Sequence, residues 1–194
     1  ELRRITRPEA RLLVAVKANA YGHGLVAVAR RAIESGAEAL GVARLPEATM
    51  LREAGLSAPI LVLGYTSPDS VATLVRNDIT QTVYTIETAR AYAEQVGRTG
   101  GLLKVHLKID SGMGRLGLLP DARRYAPPGM DITGTAVKNT LEIAGLRGVE
   151  LEGIFTHFAS ADSADKTYAE QQFTVYLDFI DRLERAGLEI PVRH

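Results

Sequence analysis

The sequence predicts an α/β fold built on parallel strands, and three observations predict it. Short runs with strand character recur at residues 12–16, 39–43, 59–63, 79–84 and 102–109, the first three of them continuously apolar or nearly so. Continuous apolar runs suit strands that are buried on both faces, as in a parallel sheet. A stretch with helical apolar spacing follows each of the first four runs, and the strand–helix unit repeats every roughly 20–27 residues. Lastly, no G-x-G-x-x-G dinucleotide fingerprint follows the first strand, which takes support from an open doubly wound sheet. The rhythm alone leaves a closed barrel and an open sheet both standing.

Each element has its own signal. Residues 1–5 have helical character but no capping residue before them. The first strand, 12–16, ends on Lys17. A small-residue loop with a tyrosine and two glycines follows, and then a helix over 25–35. Leu25, Val28, Ala29, Ala32 and Ile33 share one face of that helix, and Gly36 stops it. Strand 39–43 leads to Arg44, and Pro46 opens a short helix that Gly55 closes. Strand 59–63 ends at Gly64-Tyr65. Ser67-Pro68 reads as a cap followed by a first-turn proline, before a helix with Val71, Leu74 and Val75 inward. Strand 79–84 precedes Thr85, the expected cap of a helix over 86–96. Strand 102–109 sets Lys104, His106 and Lys108 on one face and apolar residues on the other. A long connection from Leu118 to Glu150 holds Pro127-Pro128-Gly129, a β-branched run over 131–135 and a helix over 136–144. The sixth strand, 151–158, brings His157 to its end. The helix over 170–186 turns Phe173, Tyr176, Leu177, Ile180 and Leu183 inward. Residues 190–194 read as a strand barely begun. A domain rarely stops inside a strand, so the chain is expected to be part of a longer protein or to lack residues.

Composition narrows the function classes. The 194 residues suit one domain, and the 46% apolar share is ordinary for a core-forming protein. Lys plus Arg and Asp plus Glu balance at 23 each, so no net field recruits nucleic acid or an anionic membrane. There is no cysteine, which excludes disulfides and thiolate metal sites. No His-rich or HExxH-type spacing occurs, so no metal is expected. No apolar run is long enough to span a bilayer and no secretory signal opens the sequence, so a cytoplasmic location is expected.

Two stretches carry the candidate chemistry. The first is Lys17 at the end of a buried strand, where a parallel barrel points its functional residues. A neutral lysine there can form a Schiff base with an aldehyde cofactor or a carbonyl substrate. It can also be a lysine snorkelling at the rim of a sheet, the commoner case for a strand-end lysine, with Tyr21 packed under its neighbour. The second is Lys108-Ile109-Asp110-Ser111-Gly112-Met113-Gly114-Arg115-Leu116-Gly117. Its glycines let the backbone turn tightly or approach a ligand, and Arg115 can donate paired hydrogen bonds to a carboxylate or a phenolate. An unmodified Lys108 paired with Asp110 or a nearby Glu is the plain alternative.

The string Val16-Lys17-Ala18-Asn19-Ala20-Tyr21-Gly22-His23-Gly24 resembles the cofactor-lysine signature of alanine racemases, which carry pyridoxal 5′-phosphate (PLP). The 108–117 block resembles the same family. The likeness covers nearly the whole chain and departs most over 118–150. It implies a (β/α)8 TIM-type barrel, of which about six strands and the start of the seventh are present, while the family's C-terminal β domain is not. It implies interconversion of L- and D-alanine for peptidoglycan, by a homodimer with shared sites. Lys17 would then hold PLP and act as the base facing D-alanine. Tyr21 would contact the phosphate. Arg115 would bind the cofactor phenolate and, with Met113, the substrate. Lys108 would be a carbamate that aligns Arg115; its conversion to an anion removes the repulsion of two cations in one dry site. His157 and His194 would lie in the hydrogen-bond network behind the cofactor. The family's Asn-Ser pair beyond the histidine matching His194, its arginine on the pyridine nitrogen and its second-base tyrosine from the partner subunit are missing. Residues 1–194 alone are therefore expected not to racemise alanine at a useful rate. Other readings are a broad-specificity amino-acid racemase, a non-enzymatic PLP carrier, and a barrel that binds a phosphorylated metabolite without PLP.

Overall fold

The computed structural model describes residues 2–120 and 134–194. The chain divides into two compact units, Glu1–Thr82 and Val83–His194.

The first unit runs α1 (Leu2–Ile5), β1 (Leu13–Ala15), α2 (Lys17–Tyr21), α3 (Leu25–Glu34), β2 (Ala39–Val42), α4 (Leu45–Glu53), β3 (Ile60–Val62), a 3-10 turn (Pro68–Ser70), α5 (Val71–Arg76) and β4 (Ile79–Val83), whose last residue opens the second unit. The four strands pair in chain order and in parallel: Val14 faces Leu40, Gly41 faces Leu61, and Ile60 faces Ile79. That is the strand–helix alternation the apolar rhythm predicts. Leu40, Val42, Ile60 and Val62 from the strands and Ala29, Leu51 and Leu74 from the helices are at most 1% exposed. Burying each large aliphatic side chain contributes about 1.5–3 kcal/mol.

A cation staples this unit from below. The Arg52 guanidinium on α4 donates to the carbonyl oxygens of Asn77, Leu56 and Ala58 at 2.8 Å and Asp78 at 2.9 Å. Those carbonyls lie in the turns that feed β3 and β4, so one side chain fixes the chain where it enters each strand. Ser67 does not cap the turn after it: its hydroxyl donates to Asp69 Oδ2 at 3.3 Å instead.

The α2 segment is the departure from sequence expectation. Ala18, Asn19, Ala20 and Tyr21 all have positive φ, 52–55°. They form one turn of left-handed helix where the sequence reads as an irregular loop. Each non-glycine residue in that conformation costs roughly 1–2 kcal/mol, so the turn stands only because its surroundings hold it.

The second unit runs α6 (Ile86–Thr99), β5 (Leu103–Lys108), α7 (Thr135–Ala144), β6 (Val149–Phe155), α8 (Thr167–Arg185) and β7 (Val192–Arg193). Strands β5, β6 and β7 again pair in parallel. The described residues thus hold seven strands, the last two residues long, as the sequence reading counts them. Thr85 caps α6 as predicted, accepting from the Thr88 N–H at 3.2 Å. Strand β5 is buried on both faces, His106 and Lys108 included. The helix expected over 136–144 is α7. Pro127-Pro128-Gly129 and residues 131–133 of the β-branched run lie outside the described residues.

The inward face of α8 differs from the predicted one. Tyr176, Ile180 and Leu183 are buried, but Phe173 is 48% and Leu177 45% exposed. The buried stripe runs through Ala169, Gln172, Tyr176, Phe179, Ile180 and Leu183. Gln172 takes the inward place because two loops offer it hydrogen-bond partners, and Phe173 turns edge-on to Phe158 instead, 6.3 Å between centroids. Among the described residues no helix is long and apolar enough to cross a membrane.

Candidate active site

In the first unit, β1 carries the chain to Lys17. The Val16 N–H still donates to Gly41 O at 2.8 Å, and Val16 is fully buried. Backbone hydrogen bonds then close the left-handed turn: Ala20 N–H to Val16 O at 2.8 Å, and Gly22 N–H to Ala18 O and Asn19 O, both 3.1 Å. Asn19 Oδ1 accepts from the Leu25 N–H at 2.8 Å and so supplies the cap that Gly24 cannot give α3. Asparagine tolerates left-handed φ and caps helices, a signal the sequence carries at this position. The Lys17 side chain is half-buried and makes no hydrogen bond or ion pair with any described residue. Tyr21 is 62% exposed and does not pack under the loop.

In the second unit, β5 ends on Lys108. Its side chain is buried, with Nζ 5.8 Å from the Phe155 ring centroid. The loop that follows is organised by Asp110. Its carboxylate accepts from the N–H groups of Gly112 and Gly114 at 3.0 Å and Arg115 at 2.8 Å. Burial pushes this carboxyl up, but the N–H groups of Gly114, Gly112, Arg115 and Met113 outweigh it and hold it below its ordinary value. Gly117 has φ 148°, and a Cβ there would lie 2.3 Å from Asp110 N. Only glycine lets the loop return to bridge Ile109 and Leu118. The Tyr168 hydroxyl donates to Gly112 O at 2.5 Å. Gln172 reaches His157 O at 3.3 Å and accepts from the Ala159 N–H at 2.8 Å, while Ser111 and Thr156 share a 2.7 Å hydroxyl bond. The main chain at Arg115 is thus fixed, while its exposed guanidinium makes no hydrogen bond or ion pair with a described residue. Met113 beside it is half-buried.

The histidines separate. His194, just past β7, lays its ring on Phe155 at 4.7 Å and 4° between planes. Its Nε2 is 2.9 Å from His106 Nδ1, and His106 Nε2 is 3.2 Å from Glu152 Oε2. The residue as a whole is exposed, while its ring stacks on Phe155 and abuts His106. Burial, and then the charge of His106, push the His194 imidazole down to about 4. His157 does not end the sixth strand: β6 stops at Phe155, and His157 is exposed beyond it. Sequence reading put His106 on a strand face but could not find its partner, since 88 residues separate it from His194. The bulge that sets Glu152 beside it comes from a register shift: Val105 faces Leu151 and His106 faces Gly153.

Chemically, an aldehyde-bearing cofactor needs an amine that is not tied up in an ion pair, and a carboxylate ligand needs an unspent guanidinium. Lys17 and Arg115 meet these needs, each within its own unit. The parallel strand–helix units, with the candidate side chains on the loops that follow β1 and β5, define an α/β barrel-type domain. The chain belongs to the alanine racemase family, whose N-terminal domain profile matches residues 1–194. It is 43% identical, over its full length, to the alanine racemase of Methanococcus maripaludis, of which it covers 49%. It superposes on the alanine racemase of Clostridium difficile 630 in complex with cycloserine with a TM-score of 0.90 and 36% identity, covering all of this chain and 50% of that one. The histidine racemase of Leuconostoc mesenteroides subsp. sake matches with a TM-score of 0.81 and 32% identity, covering 95% of this chain and 46% of that one. The chain spans about half the length of the curated relatives it matches. Its fold is that of the N-terminal (β/α)8 barrel portion of the alanine racemases.

Proposed function

We propose that residues 1–194 are the PLP-binding barrel portion of a cytoplasmic, homodimeric racemase that interconverts L-alanine and D-alanine. The observation that carries this reading is the Lys17 amine: half-buried, at the end of β1, and without a counter-ion among the described residues. Bound PLP supplies electron withdrawal that makes the substrate Cα proton removable. Lys17 Nζ would anchor the cofactor's aldehyde carbon. Released by the incoming amino group, it would take or return the Cα proton on one face. Arg115 would donate to the substrate carboxylate and the cofactor phenolate, with Met113 lining the substrate. The Tyr21 hydroxyl would meet the phosphate, which suits its exposed position at the end of the left-handed turn. Lys108 would carry a carbamate, and His157 and His194 would stand behind the cofactor. The base for the opposite Cα face, and the family's C-terminal β domain, would come from sequence beyond these residues.

The direct test is borohydride reduction of the PLP-loaded protein followed by peptide mass mapping. A reduced pyridoxyl group on Lys17 is expected. Label on another lysine, or none, refutes the reading. A second reading, racemisation of amino acids other than alanine, is favoured by the likeness to a histidine racemase. A kinetic panel of alanine, serine, lysine, arginine and histidine separates the two.

A further inference from the structure

The left-handed turn after Lys17 needs something to hold it, and the structure supplies a carboxylate from another element. Glu47 lies in the first turn of α4. Its Oε1 accepts from the Ala18 N–H at 2.7 Å. Its Oε2 accepts from the Ala43 N–H at 2.8 Å and the Arg44 N–H at 3.1 Å. One side chain thus ties the amide directly after Lys17 to the end of β2. Ala18 is the first residue with positive φ, and at the start of any helical turn the leading N–H groups lack partners within the turn. An ionised acceptor there forms the stronger kind of hydrogen bond.

We propose that Glu47 is a positioning residue for the reactive amine: it caps the left-handed turn at Ala18 and so fixes the direction in which Lys17 leaves β1. Four strained residues follow Lys17 in succession, and they persist only where the surroundings over-determine them. Remove the carboxylate and the turn can relax toward ordinary φ, which swings the Lys17 Cα–Cβ bond. A misplacement of about 1 Å at a reacting group costs on the order of a hundredfold in rate. The inference rests on the reading of Lys17 as the amine that holds PLP.

The test compares Glu47→Gln and Glu47→Asp with Glu38→Gln in the full protein. Glu38 Oε2 accepts from the Leu12 N–H at 3.1 Å, a similar bond at the far end of β1, and serves as the control for a merely structural loss. Three measurements are made on each: amide hydrogen exchange at Ala18 to Gly24 without PLP, the extent and pH profile of borohydride-trapped PLP on Lys17, and kcat and KM for alanine. Glu47→Gln and Glu47→Asp should speed exchange at Ala18 at least tenfold. Both should shift the pH profile of trapping and lower kcat about tenfold to a hundredfold, with KM changed less. Glu38→Gln should leave exchange at Ala18, trapping and kcat near wild type. Unchanged exchange at Ala18 and unchanged trapping in the Glu47 variants overturn the proposal, as does equal loss in Glu38→Gln. Absence of trapped PLP on Lys17 in the wild-type protein refutes the functional reading instead, and accelerated exchange in the Glu47 variants then still upholds the capping of the turn.

Discussion

Replacing Asp110 with asparagine should unlock the loop that carries Arg115. The wild-type carboxylate accepts three backbone N–H groups, two on Oδ1 and one on Oδ2. Asparagine keeps an oxygen for Gly112 and Gly114 but turns an NH2 group toward the Arg115 N–H. Leaving that donor unpaired costs about 1–3 kcal/mol. The two surviving bonds lose their charge assistance, which removes roughly 0.5 kcal/mol or more each. The sum is about 2–4 kcal/mol near neutral pH. The cost should also depend on pH. Asp110 titrates below its ordinary value in the fold, so the unfolded chain takes up its proton first as pH falls. The wild-type advantage is complete above the ordinary aspartate range, about pH 4, and is lost as pH drops through the lower folded value. Urea unfolding of both proteins, from near neutral pH down to the acid limit of folding, reads this difference. A change below about 0.5 kcal/mol at neutral pH, or a difference that does not shrink in acid, refutes the reasoning.

Other perturbations follow from the same geometry. Arg52→Met should destabilise the first unit by about 2–4 kcal/mol, since it strips four carbonyls of one fixed donor; thermal melting reads it. The His194 ring should stay neutral in NMR titration until pH approaches about 4. Its folded value lies below the ordinary one, so its contribution to stability is present above about pH 6.5 and lost as pH falls from there toward the folded value. A titration midpoint near the ordinary value would remove the His106–His194 packing argument. Gly153→Ala should push the His106 ring aside, because the new Cβ would stand 2.6 Å from it; imidazole nitrogen shifts of His106 and His194 should move together. Residues 1–194 expressed alone should show no useful alanine turnover, and measurable turnover by them refutes the need for a second base from elsewhere.

By itself the sequence determined the α/β class, the seven strands in order and most helix positions. Apolar period and turn residues are local signals, and several elements here obey their own: Thr85 caps α6, and the stretches 12–16 and 102–109 supply strands β1 and β5. It also determined which residues to watch, because two long strings of unusual residues match one family. Tertiary structure decided how those residues are held. The left-handed turn after Lys17 contradicts the propensity of Ala18, Ala20 and Tyr21, and it exists because Val16, Asn19 and Glu47 supply partners from three places. Phe173 looks inward by spacing, yet Gln172 wins the core because Ser111, His157 and Ala159 converge on it. The His106–His194 contact and the bulge that brings Glu152 to it join residues far apart in the chain. Hydrogen-bond partners that satisfy a buried group are set by where strands and loops meet in space, and no local pattern records that meeting.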